Sequence, residues 1–134
     1  LLSALWLFAM LNYLYADVLS LMDPILLPQW LAGKVEGLTI TRPLLFGAAL
    51  MMEVPIAMTL LSRVLAPRAN RLANTTAGIF KTLAVAASLL FGAPNLHYVF
   101  FASIELATTL AITFVAASWT TSLPHPPSSG AEAA

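Results

Sequence analysis

Four ionisable side chains lie well inside long apolar stretches of the sequence. They are Asp17, Glu53, Lys81 and Glu105. A charged group near the middle of a membrane costs about 2.5–3.5 kcal/mol on the mildest insertion scale, so pairing, protonation or water must offset it. We therefore expect an intramembrane polar cluster in which the three acids face the single ammonium group.

Two interpretations of this cluster stay open at the level of sequence. In the functional one, the acids line a cavity for a small cation, a proton or a polar solute. In the structural one, they form a buried ion network with Lys81 that fixes the packing of the helices. At 1.5 Å per residue, the four groups lie about 8 to 18 Å from the outer helix ends, so one slab of the membrane can hold them all.

Accessory polar residues extend the predicted cluster. Tyr13 precedes Asp17 by four residues, which places both on one side of a helix. Thr109 follows Glu105 at the same spacing. His97 lies about 12 Å from Glu105 along the helix axis, so we do not expect the two to share a metal ion. The accessory residues of the predicted site are Tyr13, Asn12, Thr109 and His97.

The residue composition excludes several kinds of functional site. The chain has no cysteine and only two histidines, which excludes disulfides, iron–sulfur clusters and thiolate metal sites. Its formal net charge is zero, and no basic excess indicates a nucleic-acid partner. Gly-rich phosphate loops and nucleophile elbows are absent from the sequence. We expect no cofactor and no metal, and a non-enzymatic role more than an enzymatic one.

Composition indicates which elements position these residues. Of 134 residues, 60% are hydrophobic and 9% charged, whereas soluble domains carry about 25% charged residues. Four apolar stretches approach or exceed the roughly 20 helical residues that span a bilayer. The predicted fold is therefore all-α, an integral membrane four-helix bundle within residues 1–122. Its helices are predicted at about 2–22, 44–65, 75–93 and 98–119, and a disordered cytoplasmic tail at 123–134.

The connections differ in character and suggest an orientation. The first, about 23–42, mixes apolar and polar residues and is predicted to be a short interfacial element. The second, 67–74, is short and basic, and together with Arg63 it carries three arginines. The positive-inside rule places this second connection and both termini in the cytoplasm. A row of small residues beside Lys81, including Gly78, is predicted to be a helix-packing face.

Four motifs resemble a family of small bacterial membrane proteins. They are LNYLYADVLSLMDP (11–24), MEVPIAMTLLSRVL (52–65), RANRLAN (68–74) and HYVFFASIE (97–105). The family carries a domain-of-unknown-function label, so the resemblance implies four spans in a bacterial inner membrane but no activity. A looser similarity to DoxX-like four-helix membrane proteins concerns architecture alone.

Three functions are consistent with these observations. The leading hypothesis is a protein that binds or moves a small cation, proton or polar solute through the acidic cluster. The first alternative is a structural subunit, either a homo-oligomer or part of a larger membrane complex. The second is a lipid-directed membrane enzyme that uses a buried carboxylate as a general acid. All three have the lipid bilayer as a partner.

Overall fold

The chain folds around four long helices and a small cap. The computed structural model describes residues 1–91 and 95–119. Its elements, in chain order, are α1 (Leu2–Met22), α2 (Leu26–Leu31), β1 (Lys34–Val35), β2 (Leu38–Thr39), α3 (Arg42–Val64), α4 (Pro67–Phe91) and α5 (Leu96–Ala117). The predicted cytoplasmic tail, 123–134, lies outside the described residues.

Local capping sets most helix boundaries close to the predicted ones. The Thr41 hydroxyl accepts a hydrogen bond from the Leu44 backbone at 3.3 Å, and Pro43 lies in the first turn of α3. The Asn95 side chain accepts from the Tyr98 backbone at 3.2 Å and begins α5. These caps explain why α3 and α5 start within two residues of the positions expected from hydropathy.

The start of α4 differs from the prediction. Residues 67–74 were expected to form a basic connection, yet they form the first two turns of α4, which begins at Pro67. Proline is favoured in the first turn of a helix because its missing N–H is not needed there. Asn74 is fully buried, and its amide oxygen accepts from the Trp6 indole at 2.7 Å and from Ser62 at 2.9 Å. These tertiary hydrogen bonds hold a polar segment in helical form.

The four long helices form a ring. Helix α1 packs against α3 and α5, and α4 packs against the same two helices. Helices α1 and α4 therefore face each other across the interior. Gly78 permits the close approach of α4 to α5, because a Cβ there would contact Thr113 and come within 3.3 Å of the Thr109 carbonyl oxygen. The predicted role of Gly78 in helix packing agrees with this contact.

The first connection is an ordered cap. Residues Glu36 and Gly37 both have positive φ, 49° and 82°, and close a two-residue hairpin between β1 and β2. The Gln29 side chain accepts from the Glu36 backbone at 2.9 Å, which ties the hairpin to α2. The short element expected from sequence is thus a helical turn followed by a hairpin.

Three of the helices, α1, α3 and α5, are long and apolar enough to cross a membrane. Many large apolar side chains on the outer surface are exposed, among them Phe46, Leu60 and Phe114. Such a surface is typical of a protein surrounded by lipid, where no polar exterior is required. The composition and these helices are consistent with a membrane protein.

Candidate functional site

Lys81 occupies the centre of the helix ring. It projects from α4, is 2% exposed, and its Nζ lies 4.0 Å from the centre of the Tyr13 ring on α1. An ammonium group over an aromatic face is attracted by the negative face of the ring, most strongly where water is excluded. The contact joins the two helices that face each other across the interior.

Glu105 lies beside this pair on α5. It is 5% exposed and lies close enough to Lys81 for the two side chains to interact electrostatically. One turn further along α5, the fully buried Thr109 accepts from the Thr82 hydroxyl at 2.8 Å and donates to the Glu105 carbonyl at 2.9 Å. The structure thus places Lys81, Glu105 and Thr109, three of the residues singled out from the sequence, in one buried region of the helix ring.

Lys81 forms no direct salt bridge within the described residues. No Lys or Arg nitrogen lies within 4.0 Å of a carboxylate oxygen in residues 1–91 and 95–119. The Tyr13 hydroxyl is buried and has no hydrogen-bond partner among the described residues. A buried polar group of this kind usually binds a water molecule or an ion. The centre of the bundle therefore combines a buried ammonium group, a buried carboxyl group and a buried hydroxyl.

Asp17 lies between this centre and a large cavity. It follows Tyr13 by one helical turn, is exposed, and lines a half-open cavity of about 960 Å³. The cavity lies under the cap, at the end of the bundle where α1 stops and α5 starts. A volume of this size is at the upper end of those that hold small molecules.

The cavity has a polar floor and mainly apolar walls. Its polar floor comprises Asp17, Ser20, Ser88, Asn95 and Tyr98. Its walls come from the cap and the first turns of α3, and include Leu26, Trp30, Val35, Leu38, Leu44 and Leu45. Glu36 of the hairpin adds a second carboxylate to the lining. Both charged groups that line this cavity are acids, which favours a ligand with a cationic group.

Glu53 is not part of this arrangement. The inward orientation expected for it is not observed, because its side chain is exposed on the outer side of α3. The buried residues of this helix are Pro55 and Met58, which lie on a different side. A helical turn is 3.6 residues, so Glu53 cannot face the interior while these two do.

The remaining accessory residues also have distinct environments. Asn12 donates to the Phe8 carbonyl at 2.8 Å on its own helix, so it does not join the central cluster. His97 Nε2 lies 3.4 Å from the Ser20 hydroxyl at the edge of the cavity. No group of three or more metal-ligating side chains occurs within the described part of the chain.

Two polar contacts of the structure, one at the site and one away from it, were missed by reasoning from the sequence. The Tyr98 hydroxyl donates to Ser88 at 2.8 Å, which joins α5 to α4 at the cavity floor. The buried network of Asn70 and Asn74 lies at the opposite end of the bundle. An i, i+4 spacing of two asparagines on a helix was the available signal, but it required that residues 67–74 be recognised as helical.

Comparisons with known proteins give a family but no activity. Neither a curated protein nor a solved structure matches the chain. The profile of a family of unknown function, DUF6326, matches residues 1–123, which include every residue of the site. The chain therefore belongs to the DUF6326 family.

Proposed function

We propose that this protein is a membrane protein that binds a small amphipathic solute with a cationic group in the cavity under its cap. The observation that carries the proposal is the cavity of about 960 Å³ with Asp17 on its polar floor. Its apolar walls would hold the body of the solute, and the carboxylate would contact the cationic end.

The buried charges behind Asp17 support a role in binding or movement. Lys81 interacts electrostatically with both Glu105 and Asp17. A cation in the cavity would take over the interaction with Asp17, which leaves Lys81 to Glu105 alone. Binding in the cavity would therefore change the electrostatics of the bundle centre.

We further propose that α4 is a fourth span. It contains 25 residues, or about 37 Å of helix, which exceeds a ~30 Å hydrocarbon core. The polar residues that lower its hydropathy include Asn70, Asn74 and Lys81, and all three are buried against other helices. Helix α4 can therefore span the membrane without exposing these three polar side chains to lipid.

The orientation and compartment are part of the same proposal. Arg63, Arg68 and Arg71 lie where α3 ends and α4 begins. This cluster supports a cytoplasmic location for that end of the bundle by the positive-inside rule. Both termini would then be cytoplasmic, and the cap and cavity would face outward. The compartment that we propose is the bacterial inner membrane, as the resemblance described above implies.

Thermal protection by a matched series of probes tests the binding proposal. The full chain in detergent is heated with hexyltrimethylammonium, hexanol or hexanesulfonate, which share an alkyl chain and differ in charge. A ligand that binds the folded state raises its melting temperature. We expect the cation to protect most. Asp17→Asn should weaken its affinity about tenfold or more, since a charge-assisted contact contributes roughly 1.5–3 kcal/mol.

The matched control is Glu53→Gln, which neutralises a carboxylate that does not line the cavity. This variant should bind the cation as the wild type does. Equal protection by the sulfonate and the ammonium compound, or an Asp17→Asn variant with unchanged affinity, would contradict the proposal.

The alternative of a structural subunit is favoured by a separate observation. Helix α3 has little of its surface covered by the rest of the chain, and Glu53 lies on the uncovered side. A subunit role and a binding role use different surfaces, so the two are compatible. Loss of an assembly in a variant that retains cation binding would distinguish them.

A further inference from the structure

A second cavity lies at the end of the bundle opposite the cap. Its volume is about 310 Å³, at the lower end of the range for sites that hold small molecules. It lies between the start of α4 and the end of α5, and its lining comprises Arg68, Arg71, Leu72, Thr75 and Ala117. The positive-inside rule accounts for arginines at this end, but it does not require two of them to line one cavity.

The two arginines lie on one side of α4, close to its start. Arg68 is the second residue of the helix and Arg71 the fifth, a spacing that makes them neighbours on the helix surface. Thr75 follows Arg71 by one turn, and its buried hydroxyl oxygen has no hydrogen-bond partner among the described residues. A guanidinium group presents paired N–H donors that match a phosphate, and the start of a helix attracts anions. The cavity wall is therefore rich in donors suited to an anion.

Within the described residues, the chain supplies no acidic partner at this end of the bundle. In residues 1–91 and 95–119, no carboxylate oxygen lies within 4.0 Å of an arginine nitrogen. The acids of these residues lie towards the cap or in the middle of the helices, and none occurs in 1–16, 54–91 or 106–119; they are Asp17, Asp23, Glu36, Glu53 and Glu105. An anionic ligand in this cavity would therefore meet no competing carboxylate from the described fold.

We propose that this cavity binds the phosphate group of an anionic membrane lipid. In the orientation proposed above, Arg68 and Arg71 lie within about 6 Å of the start of α4, at the level of the cytoplasmic lipid head groups. Their guanidinium groups would contact the phosphate oxygens. Leu72 and Ala117, which are apolar and exposed, line the same cavity and would contact the start of an acyl chain. A free anion would use only the arginines, whereas a lipid uses both parts of the lining.

Thermal protection of the full chain in detergent tests the proposal. The probes are dioctanoyl phosphatidylglycerol, dioctanoyl phosphatidylcholine and inorganic phosphate; the two lipids share their acyl chains and differ in net charge. A ligand of the folded state raises the melting temperature according to its concentration and affinity. We expect phosphatidylglycerol to bind about tenfold or more tightly than either of the other probes, because it alone combines a net negative charge with acyl chains.

Single arginine variants test the location of the site. Arg68→Gln and Arg71→Gln should each weaken the affinity for phosphatidylglycerol about tenfold, the loss expected for one charge-assisted contact. Arg63→Gln is the matched control, because it removes the same charge at the same end of the bundle from a residue that does not line the cavity. It should bind the lipid as the wild type does. All three arginines are exposed, so the melting temperatures without a probe should be unchanged and show that the variants fold.

Three results would each overturn the proposal. Equal protection by the two lipids would exclude recognition of net charge, and equal losses in the three arginine variants would indicate general attraction to a basic surface. Inorganic phosphate that protects as strongly as phosphatidylglycerol would indicate a soluble anion instead of a lipid. The inference does not depend on the cavity under the cap, so Arg68→Gln should retain its protection by hexyltrimethylammonium. The failure of one site would therefore be distinguishable from the failure of the other.

Discussion

At the residue scale, the most informative side chain is Lys81. A fully buried ammonium without a direct salt bridge among the described residues would be costly, and the Tyr13 ring provides a compensating interaction at 4.0 Å. Glu105 on α5 and Asp17 on α1 also lie near it. These residues come from α1, α4 and α5, so their proximity depends on how the three helices pack.

Removal of Lys81 should leave a buried carboxylate without compensation. We expect Lys81→Met to reduce the free energy of unfolding by about 3 kcal/mol. The variant leaves one buried charge without a partner, which is less stable than a site with no buried charge. The double variant Lys81→Met with Glu105→Gln should recover part of this loss. Thermal unfolding of the single and double variants in detergent measures the coupling, and strictly additive effects would contradict it.

Removal of the Tyr13 hydroxyl and removal of the Tyr13 ring should have opposite effects on the stability of the fold. Tyr13→Phe keeps the ring under Lys81 and removes a buried hydroxyl that has no partner among the described residues. Its stability should equal or exceed that of the wild type, since an unsatisfied buried hydroxyl costs roughly 1–3 kcal/mol. Tyr13→Leu loses the ring and should be less stable. A large loss in Tyr13→Phe would instead reveal a bound water or ion at the hydroxyl.

At the scale of elements, the contact of α4 with α5 sets the position of the site. Gly78 lies one turn before Lys81 and permits the backbones of these helices to approach. The same approach brings Thr82 to Thr109. A change in the spacing of the two helices would therefore move the ammonium relative to Glu105.

Alanine at two glycines should distinguish this contact from general helix effects. Gly78→Ala should destabilise the fold by about 1–3 kcal/mol, because its Cβ would overlap Thr113 and come within 3.3 Å of the Thr109 carbonyl oxygen. Gly47→Ala is the control: a Cβ there meets open space, so the gain in helix propensity should stabilise slightly. Similar melting temperatures for the two variants would argue against a tight α4–α5 contact.

At the scale of the whole molecule, the arrangement of charges predicts how the chain sits in its membrane. Ala69 is exposed in the first turn of α4, and Thr39 is exposed in the hairpin at the opposite end. In intact cells, a membrane-impermeant maleimide should label Thr39→Cys and should label Ala69→Cys only after the cells are opened. The reverse pattern would overturn the orientation. Asn70 is unsuitable for this experiment because it is buried.

Helix limits were predicted accurately where hydropathy and capping residues give a strong local signal. The runs that form α1, α3 and α5 are apolar and end at capping residues or prolines, so their limits were predicted to within two residues. The start of α4 was not, because Arg68, Asn70 and Arg71 lower the hydropathy of turns that tertiary hydrogen bonds hold in place. The form of the cap was also unpredicted, since a two-residue hairpin gives too short a pattern to recognise.

The sequence by itself determined that the chain is largely helical and rich in membrane-length apolar segments, because composition and hydropathy are sums over neighbouring residues. It also identified Asp17, Glu53, Lys81 and Glu105 as the ionisable residues whose placement in a membrane would need compensation. Only the tertiary structure decided which charges meet. Glu53 and Glu105 have similar sequence surroundings. Glu53 is nevertheless exposed, whereas Glu105 is buried, with only 5% of its surface exposed. The rotation of each helix about its axis makes this difference, and it is fixed by packing against helices that are distant in sequence.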